Sequence, residues 1–528
     1  MAQAFRQPCD EGVIRSTPTG DPRPPGVERW ILATTILGSS MAFIDGSVVN
    51  VALPALQQDL KANVADLQWV VEAYALSLAA LLLVGGALGD RYGRRKVYIS
   101  GVTLFALTSA WCGLAPNVGQ LIVARAIQGI GAALLVPGSL AIIGAYFGKA
   151  EQGHAIGTWS GFTAITTAMG PVLGGWLVEH NSWRAAFFVN LPLAFLVVVF
   201  ALKFVPESRA GHETGRLDWV GALTAALGLG LITYGLLESG SQGLGHPALL
   251  ASVALGLAVI GLFVVVEAKG QSPMIPLWLF RSPTFSGANL LTLLLYPALS
   301  GVLFFLPLNL IQVQGYSPAE AGAVFLPFVL IMSVLGQWSG GLVSSYGPRP
   351  PLVIGPTIAA VGFSLFALPS VGGSYWTTFF PATVVMGFGM AVTVAPLTTT
   401  VMTAVGADYV GVASGINNAM SRVGGLLAIA LFGVAMLVAF NQSLDRRLTA
   451  IDLAPQVQQA VDEQRTRLAG VQIPAGVDSE TGAKLRLGID EAFTDGFRVV
   501  VLIASGLALA SAAAAGLTID GARPNAGE

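Results

Sequence analysis

The chain has 528 residues, of which 54% are hydrophobic and only 11% are charged, and its mean hydropathy is +0.70. Soluble domains usually carry about 25% charged residues, so this composition excludes an ordinary water-soluble fold and favours an integral membrane protein. The net charge of −2 excludes an electrostatic case for nucleic-acid binding, and two cysteines, Cys9 and Cys112, indicate neither a disulfide framework nor a metal site.

The first 29 residues are polar and rich in proline, and no cleavage site precedes the long apolar run that follows. They predict a cytoplasmic tail and not a cleaved signal peptide. Beyond the tail, apolar runs recur that reach the roughly 20 residues a helix needs to span a bilayer, and they are too long and too uniform for barrel strands. The fourteen predicted spans are 30–53, 69–89, 97–115, 119–143, 153–178, 184–204, 217–237, 247–267, 284–312, 319–343, 350–369, 375–402, 409–440 and 496–517.

The short loops show a clear bias in lysine and arginine. With the N-terminus inside, the inside loops hold eleven of these residues, Arg216 among them, and the outside loops hold only Lys61 and Arg184. The positive-inside rule therefore predicts a multi-pass protein of the cell inner membrane with both termini in the cytoplasm. The long segment 441–495 then lies outside, and its stretch PQVQQAVDEQRTRL predicts a solvated helix.

The two ends of the chain resemble each other at a constant offset of 254 residues. This shift places Gly86, Tyr92 and Arg95 on Gly340, Tyr346 and Arg349. The repeat predicts an all-α membrane fold of six, two inserted and six helices, with pseudo-twofold halves around a central cavity. The predicted domains are a cytoplasmic tail (1–29), a six-helix bundle (30–204), a linker with two inserted helices (205–283), a second bundle with its outside loop (284–517) and a cytoplasmic tail (518–528).

The strongest local motif is GGALGDRYGRRKVYISG at residues 85–101, which joins the second and third spans on the inside. Its small residues allow close helix contact and a tight turn, and its acidic residue can pair with a nearby arginine or cap a helix N-terminus. The plainer interpretation is a positive-inside loop with a turn. The candidate gate residues are Gly86, Gly89, Asp90, Arg91, Gly93, Arg94 and Arg95.

Three ionisable residues fall inside predicted spans, namely Asp45, Glu72 and Arg125. A charge at the bilayer centre costs about 2.5–3.5 kcal/mol on insertion scales, so each residue needs a partner, water or a proton. Asp45 is a candidate proton carrier, or else a structural residue bonded to a neighbour such as Asn50. Glu72 is a second candidate for protonation or for attracting a cationic substrate, or else it is solvated near the outer end of its helix.

Other candidates carry weaker signals. Gly170, Pro171, Gly174 and Gly175 predict a helix bend with a smooth face, although ordinary membrane packing uses the same residues. Arg422 is a further buried cation whose role could be purely structural. The candidate cavity residues are Asn50, Gln128, Phe43, Tyr74 and Arg422, and most such aromatic residues are expected to face lipid or core.

The 85–101 motif resembles the loop signature of the major facilitator superfamily, and its second copy, GGLVSSYGPRP, has Ser344 in place of the acidic residue. MAFIDGSVVNVALPAL, RAIQGIGAALLVPGSLAII, GFTAITTAMGPVLGGWL and NSWRAAFFVNLP are similar to stretches of its fourteen-helix drug:proton antiporters, the multidrug efflux permease type. The resemblance covers about residues 30–440. It implies a cytoplasmic gate latch at 85–101, a proton-coupling role for Arg125 and an antiporter motif around Pro171.

The resulting prediction is a transporter, not an enzyme, that exports lipophilic or cationic drugs by alternating access. The intramembrane charges and the resemblance predict that the proton gradient is its energy source, with no cofactor, and the lack of a Walker loop excludes ATP as the driving force. Its partners are small-molecule substrates, protons and the lipid bilayer. The rival interpretations are an importer or uniporter of a small metabolite, a membrane sensor or enzyme, and a permease that works in a larger export assembly through a periplasmic adaptor bound at 441–495.

Overall fold

The computed structural model describes residues 27–147, 149–209, 218–242, 246–270, 275–405, 409–449, 451, 453–474 and 476–521. Most of the predicted N-terminal tail, residues 522–528 of the C-terminal tail, Arg216 and Cys9 lie outside these ranges. All regular secondary structure in the described ranges is helical, as the composition predicts.

The first half consists of six long antiparallel segments. Its helices are α1 (Glu28–Leu60), α2 (Val64–Tyr92), α3 (Arg94–Leu114), α4 (Val118–Tyr146), α5 (Lys149–His180), α6 (Ala185–Phe188) and α7 (Asn190–Phe204). Polar side chains define several starts, since Asn63 and Asn117 each accept a hydrogen bond from the backbone of the helix that follows.

Two inserted helices and the second half follow. The inserted pair is α8 (Trp219–Gln242) and α9 (Pro247–Lys269). The second half contains α10 (Pro283–Leu308, continued by a π-turn at Asn309–Val313), α11 (Pro318–Ala323), α12 (Leu326–Gly340), α13 (Leu342–Tyr346), α14 (Arg349–Leu365), α15 (Phe379–Thr403), α16 (Val410–Leu448), α17 (Pro455–Asp462) and α18 (Ser479–Thr518).

The predicted spans match these helices, with differences at interruptions and ends. The run 319–343 is divided into α11, α12 and the start of α13, because the chain turns at 324–325 and again at Gly341. Helices α16 and α18 extend well into 441–495, where their ends carry ion pairs that apolar periodicity does not register. Helix α17 is largely exposed, in agreement with the solvated helix predicted there.

Twelve helices among the described residues are long and apolar enough to cross a membrane. Helix α14 has 17 residues and is not one of the twelve, and neither is α5. The chain is therefore multi-pass, whereas the predicted count of fourteen spans is not confirmed by length and composition alone.

The two halves are separate bundles that the inserted pair joins on one side. In the first half α4 packs against both α2 and α3, and α1 packs against α5; in the second half α10 packs against α16 and α18. Helix α9 packs on α8, and α8 contacts both α2 and α16. One inserted helix thus touches both halves.

The antiparallel helices give the molecule two faces. We call the end with the α2–α3 turn at Gly93 the basic face, because it holds Arg94 and Arg95, and the other end the opposite face. One buried apolar cluster joins Leu53 of α1 to Phe305 of α10, while the apolar cluster nearer the basic face in the first half contains residues of that half only. The halves therefore share a core toward the opposite face.

Candidate functional site

A buried ion pair links α1 to α4. Arg125 donates through Nη1 to Oδ2 of Asp45 across 2.5 Å, and the two side chains are 1% and 0% exposed. Charges removed from water in this way need almost complete hydrogen bonding to be tolerated. The other residues of the site are therefore those that hydrogen-bond to this pair or enclose it.

Side-chain amides complete the hydrogen bonding of this pair. Gln128 donates to Oδ1 of Asp45 at 3.0 Å and accepts from Nη1 of Arg125 at 2.7 Å. Asn190, at the start of α7, donates to the same Oδ1 at 3.1 Å. Arg125 also donates through Nε to the backbone carbonyl of Val70 on α2. The cluster consequently connects α1, α2, α4 and α7.

Aromatic rings close the cluster around the guanidinium. The Arg125 guanidinium carbon lies 4.3 Å from the ring centroid of Tyr74 and 5.7 Å from that of Phe187. A desolvated cation gains from a ring face at such distances. The thiol of Cys112 lies 3.6 Å from the Gln128 oxygen and adds a weak contact. Solvent is excluded from the pair in this state.

The local sequence explains why these groups meet. Arg125 and Gln128 are three residues apart on α4, so they project from one helix face. Gly129 lets α2 approach α4, since a Cβ there would lie 2.4 Å from the carbonyl oxygen of Tyr74. Glycine at this position therefore brings Tyr74 and Val70 within reach of Arg125.

The site contains two residues, Asn190 and Ser109, that the sequence did not indicate. It lacks one contact, between Asp45 and Asn50, that the sequence suggested. Asn190 donates to Ser109 as well as to Asp45, and neither residue was singled out; the only sequence signal was an amide in the apolar run FFVNLP. Asn50 is not a partner of Asp45, and its side-chain oxygen is buried without a hydrogen bond. The structural alternative of an Asp45–Asn50 bond is therefore wrong, because the carboxylate points toward α4 and α7.

Glu72 lies apart from this cluster. It is on α2, its side chain is 0% exposed, and both carboxylate oxygens are buried without a hydrogen-bond partner among the residues that the structure describes. The suggestion that it is solvated near a helix end is wrong, because the inserted helix α8 and α16 both pack against α2. The structure does not bring Glu72 together with Asp45 and Arg125 by hydrogen bonds.

The candidate gate loop forms a tight turn docked on the segment after α7. Gly93 has φ +116°, a conformation that side chains rarely adopt, and Arg94 pairs with Asp90 at 2.8 Å, one of the two arrangements that the sequence suggested. Arg95 donates its backbone N–H to Glu207 at 3.0 Å and its guanidinium to the Val205 carbonyl. Sequence reasoning missed Glu207 as the partner of this loop.

The other gate residues have simpler surroundings. Gly86 and Gly89 lie within α2, and a Cβ at either would make only ordinary contacts. Arg91 is exposed, with its guanidinium carbon 5.6 Å from the ring centroid of Tyr92. The loop's close contacts are thus concentrated at Gly93, Arg94 and Arg95.

The glycine–proline motif of α5 faces two neighbours. Cβ atoms at Gly170 and Gly174 would meet Ser47 and Val48 of α1, at 1.8 and 3.0 Å respectively. A Cβ at Gly175 would lie 2.2 Å from the carbonyl oxygen of Pro318, the first residue of α11. The motif therefore packs α5 on α1 and brings it into backbone contact with the second half.

That contact is mutual. A Cβ at Gly322 of α11 would lie 2.2 Å from the carbonyl oxygen of Pro171. Helix α5 runs unbroken from Lys149 to His180 with Pro171 inside it, so the motif does not end the helix. Small residues on both helices thus permit the two halves to touch.

Two other candidate cavity residues lie outside the ion-pair cluster. Arg422 on α16 is half-buried and donates through Nε to Asn418 at 3.1 Å. Phe43 on α1 is half-buried and packs against the first-half apolar cluster.

Comparison with known proteins gives a consistent family assignment. A family model described as Major Facilitator Superfamily matches residues 35–429. The chain is 32% identical over 493 residues to the tetracenomycin C resistance and export protein of Streptomyces glaucescens, covering 92% of this chain and 90% of the relative. It is 33% identical over 489 residues to the multidrug resistance protein Stp of Mycobacterium tuberculosis, covering 90% and 89%.

Solved structures share the fold. A bacterial homologue of the human lysosomal transporter Spinster, in an inward-facing occupied conformation, aligns with a TM-score of 0.68 at 18% identity, covering 94% of this chain and 97% of that one. The D323A mutant of the nucleoside transporter NupG aligns with a TM-score of 0.59 at 14% identity, covering 93% of this chain and 100% of that one. At these identities the likeness concerns the architecture.

Proposed function

The chain belongs to the major facilitator superfamily, and from this premise we propose that it is a proton-coupled antiporter that exports drug-like small molecules. Two of its relatives, the tetracenomycin C resistance and export protein and the multidrug resistance protein Stp, support the direction and the substrate class. The observation that carries the coupling is the buried Asp45–Arg125 pair. Its carboxylate is the group that we propose to take up the proton.

A proton on Asp45 changes the balance of the cluster. The ionised carboxylate accepts from Arg125, Gln128 and Asn190, and a neutral acid loses the charge that holds the guanidinium. Arg125 then keeps Gln128 and the Val70 carbonyl as hydrogen-bond acceptors, while its bond to Asp45 loses the charge that strengthens it. Because these groups are on α1, α2, α4 and α7, the loss of the pair changes how the first half is held together.

The second part of the proposal is alternating access between the two halves. The positive-inside rule makes the basic face cytoplasmic, with both termini there. The state described here is then closed to the outside, since the halves share Leu53 and Phe305 in one core and touch at Gly175. We propose fourteen spans, counting α5 and α14 with the twelve, and a substrate cavity between the halves that includes Phe43, Asn50 and Arg422.

Glu72 and the gate loop complete the proposed machinery. We assign Glu72 to proton coupling as a site separate from Asp45. The turn held by Gly93 and docked on Glu207 is the proposed cytoplasmic latch, and the contacts at Gly175 form the outer closure. The segment 441–495 packs on its own chain, for example through Gln57 to the Arg467 carbonyl, and an adaptor is not part of the proposal.

The test uses the full chain in proteoliposomes with ethidium as a lipophilic cationic probe. An imposed pH gradient should drive ethidium transport in the parent, and Asp45→Asn should abolish the dependence on the gradient. Asp59→Asn is the matched control, because Asp59 lies at the exposed end of the same helix and pairs with Arg184. Transport that ignores the gradient in the parent, or an Asp45→Asn protein that behaves like Asp59→Asn, contradicts the proposal.

The same assay separates the rival function. A uniporter would move ethidium down its own gradient whatever the pH difference, and a proton-coupled importer would move it in the same direction as the protons. Under the proposal, reversal of the proton gradient reverses the direction of uptake.

A further inference from the structure

Glu72 presents an unpaired carboxylate in the interior of the molecule. Its side chain is 0% exposed, and neither oxygen has a hydrogen-bond partner within the described part of the chain. An ionised carboxylate without a partner in such a place is strongly disfavoured, because nothing compensates for the water that it has lost. The closed state described here therefore suits the neutral acid, which is a carboxyl group that carries a proton.

The position of Glu72 on α2 shows which helices surround it. Arg125 and Gly129 of α4 contact the α2 backbone at Val70 and Tyr74, so α4 covers the face that those two residues mark. Residues three and four apart share a helix face, which groups Glu72 with positions 68, 69 and 76 instead. Glu72 therefore points away from α4.

Those neighbouring positions contact the inserted helix and the second half. Trp69 lies against Tyr234 of α8, with ring centroids 6.5 Å apart, and Gln68 donates to the backbone carbonyl of Ile429 on α16. Leu76 is the side chain nearest to Gly230 of α8. Glu72 accordingly occupies the groove where α2, α8 and α16 meet.

A second orphaned polar group lies on α8. Thr233 is 0% exposed, and its hydroxyl has no hydrogen-bond partner in the ranges that the structure describes. The α9-facing side of α8 carries Gly228 and Gly235, which contact Ile260 and Val253, and Thr233 projects away from that side. Its burial must come from α2 and α16, the other two long helices in extensive contact with α8.

A small cavity shows that Glu72 and Thr233 lie at the same depth along their helices. It is lined by residues of all three helices, including Gln68, Leu237 and Gly433, and it reaches Asn63 and Thr466 at the opposite face. Glu72 is one helical turn from Gln68, and Thr233 is one turn from Leu237, in both cases toward the membrane interior. The carboxyl and the hydroxyl thus lie at one level, directly below the cavity.

From this arrangement we infer a proton site formed by Glu72 and Thr233 at the junction of α2, α8 and α16, entered from the opposite face past Asn63 and Gln68. The inserted helix α8 is its wall. The Thr233 hydroxyl, which like the Glu72 oxygens has no hydrogen-bond partner among the described residues, is the group that we assign to bond the carboxyl when it exchanges its proton. The site binds a proton from water on the carboxylate when the junction loosens, and it buries the neutral acid when the halves close. Its role in export rests on the proposed function, whereas proton binding itself does not.

Other ionisable groups on the surrounding elements need to be separated from Glu72 in any pH experiment. They are Asp66 and Tyr74 on α2, Tyr234 and Glu238 on α8, Arg422 on α16, and Arg465 and Arg467 beside the cavity. Infrared difference spectroscopy separates the arginines and tyrosines, because the C=O stretch of a protonated carboxyl is distinct from their bands and its position reports hydrogen bonding. The Glu72→Gln variant separates Glu72 from Asp66 and Glu238.

The experiment compares infrared spectra of the full chain in lipid after a pH change, with no substrate present. Glu72→Gln should lose a pH-dependent protonated-carboxyl band, and Thr233→Val should shift that band to higher frequency through loss of the hydroxyl. Thr233→Ser should restore its position. Thr224→Val is the matched control on α8, since the Thr224 hydroxyl bonds only to the carbonyls of Val220 and Gly221 of its own helix.

The results of this experiment distinguish a failure of the Glu72 site from a failure of the proposed function. The same band in Glu72→Gln and in the parent overturns the site, and an identical spectrum for Thr233→Val and Thr224→Val overturns the role of α8. Asp45→Asn should keep the Glu72 band. If the band behaves as expected while ethidium transport ignores the pH gradient, the site stands and the antiport proposal fails.

Discussion

Asn190 donates to Oδ1 of Asp45 across 3.1 Å, and this bond ties the start of α7 to the middle of α1. The same amide nitrogen donates to Ser109 on α3 at 3.0 Å. One side chain therefore connects three helices at the carboxylate that we propose to carry the proton. Asn190 is a positioning residue, because it acts on Asp45 and not on substrate.

Replacement of Asn190 by leucine should move the pH dependence of transport. A hydrogen bond to a charged group contributes about 1.5–3 kcal/mol, and this one is made to the ionised form of Asp45. Its loss weakens the hold on the ionised carboxylate, so the pH profile of ethidium transport should move to higher pH. The measurement is the pH profile of initial transport rates in proteoliposomes. A lower rate with an unchanged profile would show that Asn190 serves only in packing.

The stability of the protein should fall more when one partner of the Asp45–Arg125 pair is replaced than when both partners are replaced. Arg125→Gln leaves a buried carboxylate without its cation and should destabilise the protein by about 3–5 kcal/mol. The double variant Asp45→Asn with Arg125→Gln removes both charges and should recover much of that loss. Once Cys9 is replaced, melting can be followed with a thiol-reactive dye at Cys112, which is buried in the folded chain. A double variant that melts below Arg125→Gln would show that the pair is not a coupled unit.

The sequence was sufficient for the all-helical major facilitator fold and for the members of the central pair, but not for the contacts of that pair, and the predicted count of fourteen spans stays unconfirmed. A lone Asp45 in an apolar run and an Arg125 in another need partners, so their burial could be foreseen. Which groups they contact depends on helix rotation, and Asn190 and Ser109 give no periodic signal that distinguishes them from other small polar residues.

The misplacement of Glu72 has a related cause. Its position near the start of a predicted span suggests an interface, and only the packing of α8 across α2 and α16 shows that it is buried. Contacts between segments far apart in sequence, such as the backbone contact between Gly175 and Pro318, likewise follow from tertiary packing and cannot be read from local composition.

The turn of the gate loop should tolerate no side chain at Gly93. Its φ of +116° is strained for any other residue, and a Cβ would lie 2.7 Å from Oε1 of Glu207. Gly93→Ala should therefore destabilise the loop by about 1–3 kcal/mol and reduce transport. Gly89→Ala is the control, because its nearest contact would be an ordinary 3.9 Å. Equal melting temperatures and rates for the two variants would contradict a role for the turn geometry.

Closure at the opposite face should depend on the absence of a side chain at Gly175. A Cβ there would lie 2.2 Å from the carbonyl oxygen of Pro318, so Gly175→Ala forces α5 and α11 apart, and overpacking of this kind costs about 1–3 kcal/mol. Because the clash exists only when the halves touch, the population should shift toward the state that is open at this face. A tenfold shift needs about 1.4 kcal/mol, which lies within this range.

Cysteine crosslinking measures that shift directly. Glu179 accepts from the backbone N–H of Ala319 at 3.3 Å, so cysteines at these two positions should crosslink readily with a short bifunctional reagent once Cys9 and Cys112 are replaced. Gly175→Ala should slow the crosslink severalfold, whereas Gly261→Ala on α9, where a Cβ meets nothing within 4 Å, should leave it unchanged. Equal crosslinking rates in Gly175→Ala and Gly261→Ala would contradict this prediction. A side chain that forces α5 and α11 apart at Gly175 must also disturb the contact between Glu179 and Ala319, which lies one helical turn away.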